Sequence, residues 1–290
     1  MGSAAQTDSL RRPRLPLVVS QRWQAAVLVL LLGWLYSSIL FHLVKQWAGD
    51  PNFSHGFFVP LFSLWVLWQN RSELAKLPSV PSAWGLLILF LGLNVLILGV
   101  LGAELFLSRI SLLIVIAGLV IFFKGWHYVR MILFPWAFLV RMVPIPAIVF
   151  SQITFPLQLL ASRIAAATLE PLRVPVLREG NIIKLPAMVL DVAVACSGIR
   201  SLLSLTTLAI IYGYLMETRI SIRIVLALAS VPIAIFANSM RIVVTGLLVH
   251  YWNVDKGEGF FHTFSGFLIF VVSLGMLFAL HQLLRMAWRR

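Results

Sequence analysis

The sequence holds a single cysteine, Cys196, ten acidic residues and very little charge of either sign: 11% of its 290 residues. One cysteine excludes an internal disulfide and a cysteine-cluster metal site. A soluble domain carries about 25% charged residues, so this chain cannot clothe itself in polar surface in water. It also lacks HExxH, GxSxG, a P-loop and a dinucleotide-binding fingerprint. No metal or organic cofactor site is visible, and no second soluble domain or low-complexity stretch interrupts it. The net charge of +13 sits at the ends of apolar runs and forms no continuous patch. It therefore argues for membrane topology and against nucleic acid.

Long apolar runs are what the sequence has in abundance, with 60% hydrophobic residues. They fall near 25–44, 56–69, 83–101, 105–123, 129–150, 198–216, 222–250 and 263–284. At roughly 20 residues per crossing, they predict an all-α polytopic membrane protein of about eight transmembrane helices. The second run is short, and Pro135, Pro144 and Pro146 interrupt the fifth. The run 25–44 follows Arg11, Arg12, Arg14 and Arg22 but exceeds a signal h-region and precedes no small-residue cleavage site, so it reads as a retained first span. Residues 1–24 and 285–290 read as basic cytoplasmic tails around a single domain, 25–284. Placing both termini inside assigns thirteen Lys/Arg to inner segments and six to outer ones, in keeping with the positive-inside rule. Between 145 and 195 the pattern changes. Residues 151–170 are amphipathic enough to lie along the outer interface. Residues 172–194 are β-branched and punctuated by Pro175, Gly180 and Pro186, which predicts a short outer hairpin leading into Cys196.

Three outer-third residues carry candidate chemistry. Cys196, in AVACSGIR (193–200), begins a helix whose N-terminal dipole favours thiolate, and Arg200 adds positive charge four residues on. A small packing cysteine is the plain alternative. Arg241, in FANSMRIVVTG, falls about two-thirds across its span, where an arginine costs at least about 2.5–3.5 kcal/mol and needs a partner or water. No carboxylate falls mid-span in this sequence, so Arg241 is expected to face a polar cavity, with Asn238 on the same face. Snorkelling to the interface is the alternative. His262, in GFFHTFSGF, begins the last span and titrates near neutrality; His55 and His250 are also outer-face histidines, and the sequence does not rank the three. Thiolate, proton shuttle and cation together suit acyl transfer. A transporter or lipid-linked-sugar carrier, with Arg241 binding an anionic substrate, is a competing reading. So is a structural partner in an exopolysaccharide assembly.

ACSGIR around Cys196, NSMR ending at Arg241, HTFSG beginning at His262, and NFSHGFFVP at 52–60 together resemble the exosortase/archaeosortase family, from about residue 25 to 284. The resemblance implies a cysteine protease or transpeptidase of the bacterial inner membrane, acting on C-terminal sorting signals. Such a signal has a Pro-Glu-Pro-like motif, a transmembrane helix and a basic cluster. It implies Cys196 as nucleophile, Arg241 for orientation or oxyanion stabilisation and His262 for proton transfer; Arg200, Asn238, His55 and Ser197 are read beside them as substrate-binding or supporting residues. Histidine at the third position, where archaeal relatives carry arginine, points to the bacterial branch. The short tail after the last span leaves no room for the extra C-terminal domain of some members. Implied partners are the anchored substrate, the bilayer, and an amine or water as acyl acceptor.

Overall fold

The computed structural model describes residues 18–186, 188–192, 198–251 and 260–288, and they are overwhelmingly helical. The chain divides into two compact units, Met1–His42 and Leu43–Arg290. The first holds α1 (Val18–Leu35) and the start of α2 (Ser37–Gly49). The helical stretches Ala26–Leu35 and Ser37–Gly49 meet at a 65° bend. The expected first span, 25–44, thus corresponds to a bent helix pair.

The second unit continues through a 3₁₀ segment, Pro51–Phe57, then α3 (Phe58–Gln69), α4 (Arg71–Lys76), α5 (Trp84–Leu101), α6 (Leu105–Lys124), α7 (Trp126–Phe138) and α8 (Ala147–Leu169). Strands β1 (Leu177–Glu179), β2 (Ile182–Lys184) and β3 (Val189–Asp191) follow, then α9 (Gly198–Met216), α10 (Ile220–Tyr251) and α11 (Phe260–Ala287). The Asp50 carboxylate starts the 3₁₀ segment by accepting the Asn52 N–H at 2.9 Å. Glu104 starts α6 likewise, accepting from Phe106 and Leu107 at 2.9 and 3.0 Å.

Five described helices are long and apolar enough to cross a membrane: Trp84–Leu101, Leu105–Lys124, Ala147–Leu172, Ile220–Tyr251 and Gly266–Ala287; the bent pair makes up to six. This is a multi-pass membrane protein; among the described residues five to six crossings are found, and the expected eight are not confirmed. With a rise of 1.5 Å per residue, the 12 residues of α3 and the 13 of α7 extend only about 18–20 Å, short of a hydrocarbon core of about 30 Å. The window 129–150 fails because the chain tightens into a 3₁₀ turn at Leu139–Met142 before Pro144 and Pro146. Helix resumes at Ala147, where a proline just ahead suits a helix start. The stretch 151–170, expected along the interface, therefore belongs to a helix of spanning length.

The hairpin expectation corresponds to a three-stranded antiparallel sheet in the order β1-β2-β3, with Leu177 opposite Lys184 and Ile182 opposite Asp191. Gly180, at φ +63°, supplies the left-handed turn residue that glycine adopts most readily. Ile183 and Leu190 pack with Ala165 and Leu169 of α8 and Ile242 of α10 in one core cluster. A second cluster joins Leu205 and Ala209 of α9, Leu226 and Ile233 of α10, and Leu277 of α11. These clusters set α8, α9 and α11 around α10.

Candidate active site

Arg241 stands on the face of α10 that packs into the protein, with Asn238 buried one turn earlier; the two side chains are 9% and 7% exposed. The arginine is thus enclosed by protein and not presented to lipid. Its position is defined by α11. A Cβ placed on Gly266 would lie 3.4 Å from the Arg241 guanidinium carbon. Gly266 ends the HTFSG motif, so the arginine of one signature lies flat on the glycine of another. His262 occupies the first turn of α11, and residues four apart share a helix face. The backbone of His262 therefore stands one turn above the seat of Arg241; its side chain lies outside the described part of the structure.

Phe270, one turn beyond Gly266, lines a largely apolar cavity of about 330 Å³ with Phe58, Leu208 and Ile211, where Ser54, His55, Ser204 and Thr207 supply the polar groups. On α9, Arg200, Ser204 and Thr207 recur at helical spacing, so a polar stripe runs from the first turn of α9 to this cavity. Arg200 is exposed at the top of the stripe. Cys196 and Ser197 immediately precede α9 and lie outside the described residues.

His55 is 7% exposed, and its Nε2–H donates to the Arg141 carbonyl at 3.3 Å. Burial, followed by the nearby Arg141 charge, holds its imidazole below the ordinary value, which keeps the ring neutral near pH 7. Arg141 in turn donates from Nη2 to the Leu203 carbonyl at 3.1 Å and to Thr207 Oγ1 at 3.2 Å. It thereby ties the 3₁₀ turn before α8 to α9. His250, by contrast, is exposed at the end of α10. The structure thus distinguishes His55 from His250 where the sequence did not. Arg141, Ser204, Thr207 and Gly266 are the residues that sequence reasoning missed as site components. The i, i+4, i+7 recurrence of Arg200, Ser204 and Thr207 was a readable signal. Arg141 and Gly266 had none beyond an arginine at a span edge and a small residue in a motif.

These features define a multi-pass membrane protein with a buried arginine, a polar helix stripe and a sheltered histidine in one helical unit. The transmembrane exosortase family profile matches residues 47–279, and the chain belongs to that family. No curated protein and no solved structure matches it.

Proposed function

We propose that this chain is a membrane-embedded cysteine protease or transpeptidase that cleaves C-terminal PEP-CTERM-type sorting signals at the outer face of the bacterial inner membrane. In this reading residues 25–284 form one domain, the basic tails 1–24 and 285–290 are cytoplasmic, and the site faces the periplasm. The observation that carries it is the seating of Arg241 against Gly266, one helical turn from His262, which unites two of the three signature motifs. The polar stripe of α9, starting four residues after Cys196, supports the third.

The chemistry is acyl transfer. The Cys196 thiolate attacks the carbonyl carbon of the scissile peptide bond, and the charge that develops on oxygen is met by Arg241. The C–N bond breaks as His262 gives its proton to the leaving amine, which departs with the substrate's transmembrane helix. An acceptor amine or water, deprotonated by His262, then attacks the thioacyl carbon and releases the thiolate. Arg200 offers a cation to the acidic residue of the sorting motif. Asn238, Ser197 and His55 support the site.

The test is processing of a co-expressed, tagged sorting-signal protein. Cys196→Ala should abolish the mass shift and Arg241→Ala should reduce it severely. Intact processing by Cys196→Ala would sink the proposal. Silence at Cys196 combined with loss of transport in Arg241→Ala would transfer the site to an anion carrier.

A further inference from the structure

At the first turns of α6 a second cavity of about 220 Å³ is lined by Gln46, Glu104, Arg109, Pro144 and Pro146 among others. Arg109 is 3% exposed, and its Nε has no hydrogen-bond partner among the described residues. No described carboxylate lies within 4.0 Å of its guanidinium. Glu104 shares the cavity, but one carboxylate oxygen is engaged by the N–H groups of Phe106 and Leu107. The cavity therefore offers a guanidinium, a carboxylate and the amide of Gln46.

A buried guanidinium whose Nε lacks an acceptor is costly, because the fork is charged at every accessible pH and an unmade bond leaves its desolvation uncompensated. Such a site is completed by an oxyanion that the fork can grip in two places. Arg109 is the fifth residue of a spanning helix, Leu105–Lys124, hence only about 6 Å from its start. A helix of 20 residues rises about 30 Å, the thickness of the hydrocarbon core, so Arg109 falls about 6 Å inside its edge, within side-chain reach of the headgroups, where the abundant oxyanion is the lipid phosphodiester. The neighbouring carboxylate disfavours a purely anionic ligand and favours one carrying its own cation.

We propose that the Arg109 cavity binds the headgroup of a zwitterionic phospholipid, with the phosphodiester on Arg109 and Gln46 and the ammonium towards Glu104. This inference does not depend on the proposed activity.

The full-length protein in detergent would be titrated with short-chain phosphatidylethanolamine, short-chain phosphatidylglycerol and inorganic phosphate, reading the thermal midpoint. The ethanolamine lipid should raise the midpoint most. Arg109→Gln should weaken its apparent affinity roughly tenfold or more, the scale of losing charge-assisted hydrogen bonds. Glu104→Gln should reverse the preference towards the glycerol lipid, a result that mere loss of stability does not produce and that remains readable if Arg109→Gln fails to fold. An equal shift with inorganic phosphate would assign the cavity to a soluble anion and overturn the lipid assignment. Indifference of wild type to all three, or an unchanged preference in Glu104→Gln, would overturn the site itself.

Discussion

At the scale of single residues, the contact between Arg241 and Gly266 makes a sharp demand. The methyl group of an alanine at 266 would stand at ordinary van der Waals distance, 3.4 Å from the guanidinium, so Gly266→Ala should process substrate within about twofold of wild type. Gly266→Leu would drive further carbons into the space of the guanidinium and should lose roughly tenfold or more, since small misplacements at a reacting centre cost about 10²-fold. A leucine variant that inserts normally and processes normally would separate Arg241 from the chemistry. The histidines divide in the same assay. His55→Ala should impair processing, because the buried ring contacts the Arg141 backbone and Arg141 anchors α9. His250→Ala should leave it near wild type, because that side chain is exposed. The need of Arg241 for protein surroundings was readable in the sequence, since so few carboxylates were available and none fell mid-span. Its seat was not: a glycine in an apolar helix carries no sign of which side chain will lie on it.

At the scale of elements, α5 and α6 form a tight antiparallel pair, and glycine makes it possible. Gly85, Gly92 and Gly99 recur every seven residues on α5, so they stay on one stripe of the helix. A Cβ at Gly85 would collide with the Phe122 backbone. One at Gly92 would sit 2.8 Å from Val115 Cγ2, and one at Gly99 2.6 Å from the Ser108 nitrogen. On α6, Gly118 answers with 2.7 Å to the Leu89 nitrogen. Small residues that let backbones approach are the usual basis of helix association in lipid, where no hydrophobic drive separates helix from solvent. Gly92→Leu should therefore destabilise the protein by about 1–3 kcal/mol, the cost of overpacking, seen as a lowered thermal midpoint in detergent. Gly275→Ala, where nothing lies within 4 Å, is the matched control and should shift little. The sequence announced these two spans through their length and apolar composition. It was less informative about α3, α7 and α8. There, hydropathy windows record apolar content, whereas a crossing also needs unbroken helix, and the 3₁₀ turn at Leu139–Met142 puts the break between α7 and α8 inside the window 129–150 and not at its end. The third strand was likewise hidden: β3, no longer than β1 and β2, follows the break at Pro186 and gains its place from pairing with Ile182–Lys184.

At the scale of the whole molecule, the ends of three helices are tied by one acid, and the tie has a pH signature. Glu217 lies just after α9. Its carboxylate accepts the Thr218 and Arg219 N–H groups at 2.8 and 3.1 Å and meets His281 Nε2 of α11 at 3.5 Å and Arg285 Nε at 3.8 Å. The Glu217 carbonyl accepts from Arg223 Nε of α10 at 2.6 Å, and His281 Nδ1 is bound to the Tyr212 hydroxyl of α9 at 2.8 Å. The backbone N–H of Arg219, assisted by Thr218, His281 and Arg285 against the opposing effect of burial, holds the carboxyl at about 2. A folded-state value below the ordinary one means that ionised Glu217 stabilises the fold above about 4.5, and that this contribution disappears as pH falls through the interval towards 2. His55 acts in a different window. Its lowered value means that the folded state resists protonation, so its contribution is complete above the ordinary 6.5 and declines below it. Thermal midpoints measured from pH 8 downwards should thus fall in two steps, the first below about 6.5 and the second below about 4.5. Glu217→Gln should lower the plateau and flatten the second step while leaving the first, and His55→Ala should flatten the first alone. If Glu217→Gln retained the full acid step, the carboxylate would not be what joins α9, α10 and α11. The helices that carry the candidate arginine and histidine would then be aligned by their apolar cluster and by contacts such as that of His281 with Tyr212.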